Sequence, residues 1–257
     1  MSSKLNGKTV VLVHGAFADG SSWARVIPLL EAKGLKVVAV QNPLSSLEDD
    51  VAAARNAIDQ QSGPVILVGH SWAGVVIAQA GVHEKVESLV YVTALAPDQG
   101  QSVVDLLAGN VPAWADSLEK DAGGFVKLAA NTVGKYLAHD LPDSEVRIIA
   151  ATQGPWKWDC TSQKVTEAAW RSKPSWSVVA EQDQLIPGEF QEQMAKNIGA
   201  QIVKVPSSHV VILSHPEKVA ETIKNGKVTF REGVATGERP GVLIRGPQSA
   251  PLSMAAE

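Results

Sequence analysis

A buried strand that stops at a glycine and turns at a serine into a helix is the feature that most constrains this chain. The run Val65–Val68 is aliphatic and ends at Gly69, and Ser71 follows two residues later. An apolar run that suits a helix comes next. Such a sharp turn brings the strand and helix backbones close together, so small residues must flank the serine. Gly69 and Gly74 meet this need, whereas Ala73 stands where a second glycine is usual.

Apolar strands and amphipathic helices alternate along most of the chain, which predicts a mainly parallel sheet of about six strands flanked by helices. The predicted strands are Thr9–Val13, Leu35–Val40, Val65–Val68, Ser88–Val92, Trp176–Ala180 and Gln201–Val205. The main predicted helices run from Ser21 or Ser22 to about Lys33, from Ser46 to about Gln61, from about Glu189 to Ile198, and from Pro216 to about Lys224. The fold class is therefore α/β.

The alternation of strands and helices is interrupted once, and the amino-acid composition of the chain changes near its carboxyl end. Residues 97–173 contain only short amphipathic stretches, which predicts a helical cap inserted over the sheet. At 257 residues the chain suits one domain, here residues 1–224, because two domains would each have a small core. The tail, residues 225–257, contains several Gly and Pro residues and is expected to be poorly ordered.

Composition narrows the possible partners. The net charge is −4 and no basic patch stands out, so we do not expect the protein to bind nucleic acid. A single cysteine, Cys160, excludes an internal disulfide and offers no metal-ligand spacing, so no metal or cofactor is expected. No apolar run is long enough for a signal peptide or a membrane span, so we expect a cytoplasmic protein that does not bind membranes. The oligomeric state stays open.

A serine hydroxyl needs a base to remove its proton, and that base needs an acid to hold its tautomer. Asp183 and His209 each come three or four residues after a predicted strand, where a side chain can reach the serine turn. Their order after Ser71 also suits such a site. Glu181 is the alternative acid, but it lies directly at the strand end. The sequence thus predicts Ser71, Asp183 and His209 as the catalytic residues.

A negatively charged reaction intermediate needs backbone N–H donors beside the serine. Trp72 follows the serine directly, and Ala16 lies in the loop after the first strand, so these two residues are the predicted donors. Ala16, Phe17 and Trp72 are also predicted to contact the substrate. Three tryptophans of the expected cap either line the same pocket or pack the cap onto the sheet; they are Trp114, Trp156 and Trp158.

Together these motifs resemble the serine α/β-hydrolase superfamily. The matching segments are His14–Trp23, Gly69–Gly74, Asp183 before Leu-Ile-Pro, and Ser207–Pro216. Within it, residues 8–224 are similar to small bacterial esterases related to the plant methylesterase and hydroxynitrile lyase branch. The resemblance implies the α/β-hydrolase fold and cleavage of carboxylic esters or lactones through an acyl-enzyme. The expected partner is a small to medium hydrophobic ester or lactone.

Two positions depart from the lyase members of that branch. Those lyases carry threonine where this chain has Gly15, and lysine where it has Val210 beside the histidine. Cyanohydrin cleavage is therefore disfavoured. Two other functions stay open: a ligand receptor that keeps the hydrolase pocket without turnover, and a hydrolase that cleaves C–C bonds in diketones. With a histidine base, activity is expected to fall below about pH 6.5, where a free imidazole takes up a proton.

Overall fold

The computed structural model describes residues 8–108 and 112–225, together with the backbone of residues 230–231 and 234–235. Its centre is a parallel sheet of six strands. These are β1 (Thr9–Val13), β2 (Lys36–Ala39), β3 (Val65–His70), β4 (Val86–Val92), β8 (Ser175–Ala180) and β9 (Gln201–Val205). Their order across the sheet is β2-β1-β3-β4-β8-β9. The predicted α/β-hydrolase sheet is thereby confirmed, and β1 and β9 have the predicted bounds.

Two layers of helices cover the sheet because successive strand residues face opposite sides. Along β1, Val11 and Val13 join one apolar cluster, whereas Val10 and Leu12 join the other. The first layer contains α2 (Leu47–Asp59), α3 (Ala73–Ala80) and α7 (Gly188–Asn197), and the second contains α1 (Ile27–Glu31), α8 (Val211–Ser214) and α9 (Pro216–Asn225). Ser46 caps α2 as predicted, since its side chain accepts the Asp49 N–H.

The predicted helix from Ser21 or Ser22 to Lys33 is wrong. The chain instead forms a 3-10 turn over Gly20–Trp23 and then the short helix α1. Pro28 has no N–H to donate, so it is tolerated in the first turn of α1 but not inside a longer helix. Asp19 caps the 3-10 turn in place of the serines, because its Oδ1 accepts the Ser21 N–H at 2.7 Å.

The cap, residues 97–173, is not wholly helical. It has α4 (Val103–Leu107), α5 (Val133–Tyr136) and α6 (Asp143–Thr152), and also a small antiparallel sheet of β5 (Leu118–Lys120), β6 (Phe125–Leu128) and β7 (Trp156–Lys157). Gly124, at φ +79°, allows the tight turn between β5 and β6, and its N–H donates to the Asp121 carbonyl. The paired glycines at 123 and 124 were the signal for this hairpin.

Two further expectations from the sequence concern membrane-spanning segments and the carboxyl-terminal tail. No helix among the described residues is long and apolar enough to cross a membrane. The prediction for the tail, residues 225–257, falls almost entirely outside the described residues. The exception is two short described strands, β10 (Phe230–Arg231) and β11 (Val234–Ala235), which pair antiparallel.

Candidate active site

Ser71 lies at the turn between β3 and α3 and has a left-handed backbone. Its φ of +57° is unfavourable for a residue with a side chain, and such strain persists only where neighbours hold it. Here the Ser71 N–H donates to the Val92 carbonyl at 3.1 Å. The Ser71 carbonyl accepts the N–H groups of Gly74 and Leu95, at 3.0 and 3.2 Å. The fold thus supports the sharp turn that the sequence predicted.

Each of the small residues around Ser71 is explained by its own contacts. A Cβ on Gly69 would lie 2.6 Å from the Ala73 carbonyl oxygen, and one on Gly74 would overlap the Leu95 carbonyl. Only glycine fits at these two positions without a backbone shift. Ala73, by contrast, is the first residue of α3 and its methyl group is buried in the apolar core. The departure from the usual glycine at this position is therefore accommodated.

The structure brings the predicted acid and base together. His209 Nδ1 lies 2.7 Å from Asp183 Oδ2, and both side chains are buried. The other carboxylate oxygen, Oδ1, accepts the backbone N–H groups of Leu185 and Ile186 at 2.7 and 3.0 Å. A carboxylate held by two backbone donors is an acceptor, so His209 Nδ1 carries the proton in this pair and Nε2 is left to accept one. Glu181 is exposed, and His209 pairs with Asp183 instead.

Sequence reasoning missed a fourth member of this network, Gln191. Its Nε2 donates to Asp183 Oδ2 at 2.7 Å and to the Ile186 carbonyl at 2.6 Å, and its Oε1 accepts the Ala180 N–H. These bonds fix the carboxylate in the plane in which it meets His209. A signal was present, because Gln191 falls on the buried stripe of α7 that Met194 and Ala195 continue.

His70 forms a hydrogen bond with the backbone of the loop that carries His209. Its Nε2 lies 2.9 Å from the His209 carbonyl oxygen, which also accepts the Thr93 hydroxyl at 3.2 Å. Because a carbonyl only accepts, His70 carries its proton on Nε2. Burial, with the nearby His209 ring adding to it, lowers the pKa of His70 to about 3. His70 is therefore neutral at ordinary pH and acts as a fixed donor beside the base.

The loop after β1 lies against the Ser71 turn. A Cβ on Gly15 would be 2.8 Å from Ser71 Cβ, so the two backbones pack closely. His14 stiffens the loop, since its Nδ1–H donates to the Gly15 carbonyl and its Nε2 accepts the Asn42 N–H. No hydrogen bond within residues 8–108 and 112–225 uses the N–H of Ala16 or of Trp72. Both groups are thus free to bind an oxyanion.

Ser71 opens into an apolar cavity of about 170 Å³ between the sheet and the cap. Ala16, Phe17 and Trp72, the predicted substrate contacts, all line it. So do the three cap tryptophans, Trp114, Trp156 and Trp158. Trp158 contacts the other two edge to face, and these two contact Phe17 in the same way. Of the two roles left open for these tryptophans, lining the pocket is therefore observed.

A buried carboxylate orients Trp72 from the side away from the cavity. Asp50 Oδ2 accepts the Trp72 indole N–H at 2.7 Å, and its Oδ1 accepts the Leu44 N–H at 2.7 Å. Burial raises the pKa of Asp50 above its usual value, despite these two donors. The sequence signal was again a polar residue on a buried stripe, here that of α2 with Val51 and Ala54.

Metal chemistry has no evident site in this region. Among residues 8–108 and 112–225, no group of three or more His, Cys, Asp or Glu side chains is arranged to hold a metal ion.

Comparison with known proteins agrees with this geometry. Residues 10–222 match the model of the alpha/beta hydrolase family. Methylesterase 1 of Arabidopsis thaliana is 26% identical over 86% of this chain and 96% of its own. Alpha/beta hydrolase nvfD of Aspergillus novofumigatus is 28% identical over 84% and 95%. The crystal structure of polyneuridine aldehyde esterase covers 86% of this chain and 99% of its own, with a TM-score of 0.75 at 20% identity. This chain is a member of the alpha/beta hydrolase family.

Proposed function

We propose that this protein hydrolyses carboxylic esters or lactones through an acyl-enzyme on Ser71. The observation that carries the proposal is the buried His209–Asp183 hydrogen bond, in which the carboxylate is held by three further donors. This arrangement leaves His209 Nε2 as the ring nitrogen that can accept a proton. The left-handed turn at Ser71 and the apolar cavity beside it supply the matching nucleophile and binding space.

The reaction runs in two steps on these groups. His209 Nε2 takes the Ser71 hydroxyl proton while Oγ bonds to the substrate carbonyl carbon, and the oxyanion accepts the N–H groups of Ala16 and Trp72. The carbon–oxygen bond to the alcohol then breaks, and His209 gives its proton to the leaving oxygen. In the second step His209 Nε2 takes a proton from a water molecule, whose oxygen bonds to the acyl carbon. The bond between the acyl carbon and Ser71 Oγ then breaks, His209 returns the proton to Oγ, and the acid is released. Asp183 stabilises the imidazolium in both steps.

The cavity favours an uncharged, apolar substrate. Its wall is almost entirely aromatic and aliphatic, so burying a charged group there would carry a large desolvation cost. A small to medium hydrophobic acyl group gains roughly 25 cal/mol for each Å² of apolar surface that it buries. The same reasoning extends to lactones, whose acyl and alcohol parts are joined in a ring.

Space at Gly15 supports hydrolysis over cyanohydrin cleavage. The lyases of the related branch place threonine at this position, but any Cβ there would lie 2.8 Å from Ser71 Cβ and 3.0 Å from the His70 carbonyl oxygen. A threonine therefore requires a different loop backbone from the one in this chain. Val210, which is buried and uncharged, replaces the lysine beside the histidine. Val210 therefore supplies no ammonium group to stabilise a cyanide leaving group.

A panel of p-nitrophenyl esters of increasing acyl length tests this function on the wild type and on Ser71→Ala. We expect multiple turnover by the wild type and loss of nearly all turnover in Ser71→Ala. Ser62→Ala, at an exposed loop position, is the matched control and should keep wild-type rates. Equal turnover by Ser71→Ala would refute the mechanism. A single turnover would favour a receptor, and faster cleavage of diketones than of esters would favour a C–C bond hydrolase.

A further inference from the structure

A second cavity, of about 370 Å³, adjoins the first. Ala16 and Phe17 line both cavities, so the loop that carries a proposed oxyanion donor forms part of the wall of each. The remaining wall of the second cavity comes from His70, from Val210 and from one side of the cap helix α6. This space is larger than the first, and the proposed mechanism does not use it.

Exposed apolar side chains mark the rims of both cavities. Three large hydrophobic residues are exposed in the part of the chain that the structure describes, and two of them line cavities. Val104, 50% exposed, lines the first, and Ile148, 63% exposed, lines the second. Each would lose its contact with water when an apolar group occupied the cavity beside it, which favours binding at both places.

Ester chemistry indicates which part of the substrate, the acyl chain or the alkoxy group, would occupy each cavity. The acyl chain and the alkoxy group diverge from one carbonyl carbon, and the carbonyl oxygen is proposed to accept the Ala16 N–H. His209 must protonate the alkoxy oxygen as it leaves, so this oxygen has to lie on the His209 side. Of the two cavities, only the second includes Val210, the next residue after the base, and His70, whose ring centroid is 5.0 Å from that of His209. Neither Ser71 nor the His209 side chain lines the second cavity, so the alkoxy group would enter it past Val210.

We propose that the second cavity binds the alcohol part of the ester and that the first binds the acyl part. This assignment rests on the proposed function. It predicts that the protein accepts esters of bulky apolar alcohols, since the larger space belongs to the leaving group.

The charges in the second cavity further specify the alcohol. Arg25 Nη2 lies 2.8 Å from Glu145 Oε2, and Arg25 Nη1 donates to the Leu213 carbonyl at 2.6 Å. Since the guanidinium and the carboxylate already neutralise each other, neither is available to pair with an ionic group of the ligand. Asp19, which caps the 3-10 turn, is the other charged residue on this wall, so the cavity disfavours an anionic alcohol and suits an uncharged one. The same ion pair joins the core to α6 and keeps this wall in place.

Four esters separate the two arms: the ethyl and 2-cyclohexylethyl esters of acetic and octanoic acid. Both alcohols are primary, so their leaving-group acidities match. Ile148→Trp narrows the second cavity, and we expect it to lower kcat/KM for 2-cyclohexylethyl acetate about tenfold relative to ethyl acetate. Its octanoate-to-acetate ratio should stay at the wild-type value. Val104→Trp narrows the first cavity and should have the opposite pattern.

Two further variants guard against effects on the fold. Thr152→Trp, also exposed and on the wall of the second cavity, should shift alcohol preference in the same direction as Ile148→Trp. Ala151→Trp lies on the same helix, is exposed and lines neither cavity, so it should leave all four rates unchanged. All of these substitutions are at exposed positions, where a tryptophan is tolerated without repacking the core.

The deacylation rate constant distinguishes a narrowed alcohol site from a general loss of activity. A general defect would lower it, whereas a narrowed alcohol site would not. Once the alcohol has left, every acetate ester yields the same acyl-enzyme. Ile148→Trp should therefore leave the deacylation rate constant, measured after a p-nitrophenyl acetate burst, at the wild-type value. The assignment is overturned if Ile148→Trp shifts the alcohol ratio by less than about threefold, or shifts acyl preference instead. Failure of the function itself is distinct, because the wild type would then turn over none of the four esters, or Ser71→Ala would hydrolyse them at the wild-type rate.

Discussion

Asparagine at position 183 is expected to stop most turnover by reversing the tautomer of His209. Asp183 Oδ1 accepts two backbone N–H groups, from Leu185 and Ile186, so the amide oxygen of an asparagine must occupy this place. Its NH₂ group then faces His209 Nδ1, at the place where Asp183 Oδ2 accepts a hydrogen bond from Nδ1–H at 2.7 Å. Because two donors cannot share one hydrogen bond, His209 must move its proton to Nε2. A protonated Nε2 cannot accept the Ser71 hydroxyl proton.

The size of the effect follows from this donor conflict. Loss of the correct tautomer lowers kcat by about 10⁴-fold in comparable triads, which corresponds to about 5.5 kcal/mol. Gln191 cannot relieve the conflict by flipping, since its Nε2 also donates to the Ile186 carbonyl and its Oε1 accepts the Ala180 N–H. One buried N–H is thus left unpaired, and the free energy of unfolding should fall by about 1–3 kcal/mol.

Steady-state kcat on the preferred p-nitrophenyl ester, together with urea unfolding at 25 °C, measures both effects. Glu181→Gln is the matched control, since it makes the same acid-to-amide change at the exposed alternative acid. We expect it to keep wild-type kcat. The reasoning is refuted if folded Asp183→Asn keeps kcat within about tenfold of the wild type, or if Glu181→Gln loses as much activity as Asp183→Asn.

Three more perturbations test the surroundings of the site. Gly15→Ala should lower kcat by about 10²-fold or more, because its Cβ would lie 2.8 Å from Ser71 Cβ and displace an oxyanion donor; unchanged kcat in the folded variant would contradict this. Stability should fall with pH below about 6.5, because unfolded His70 takes up a proton that the buried ring, with its pKa of about 3, does not. Between about pH 7.5 and 5.5, urea unfolding of the wild type should lose about 1.4 kcal/mol more than that of His70→Gln, and equal losses would count against the buried neutral ring. Trp72→Phe leaves the Asp50 carboxylate with one donor fewer and should cost about 1.5–3 kcal/mol in urea unfolding. Asp50→Leu also removes the acceptor of the Leu44 N–H, so the double variant should lose less stability than the two single variants summed, and additive losses would contradict the pairing.

Much of the fold could be predicted because the relevant signals are local. The strand bounds of β1 and β9 follow from short apolar runs, and the Ser46 cap follows from the serine before an acidic first turn. The contact between Asp183 and His209 also follows, since both come just after neighbouring parallel strands, β8 and β9. The prediction of the first helix failed for an equally local reason, because Pro28 has no N–H to donate inside a longer helix.

The remaining features depend on contacts between segments distant in sequence. Gln191 and Asp50 are polar residues on buried helix stripes, and only the folded chain shows which carboxylate or indole each one meets. His70 bonds to a carbonyl 139 residues further along the chain. The second cavity exists because α6 crosses near Arg25 and Val210, and no periodicity in the sequence indicates where a cap helix docks.

The central claim, an acyl-enzyme on Ser71, is tested most directly by rapid-quench mass spectrometry. The wild type is mixed with a p-nitrophenyl ester, acid-quenched during the burst, digested and analysed for the peptide that contains residues 69–74. The proposed mechanism predicts the mass of one acyl group on Ser71, absent from Ser71→Ala and lost at the steady-state deacylation rate. Ester turnover at the wild-type rate with no acyl group on Ser71 at any quench time would contradict it.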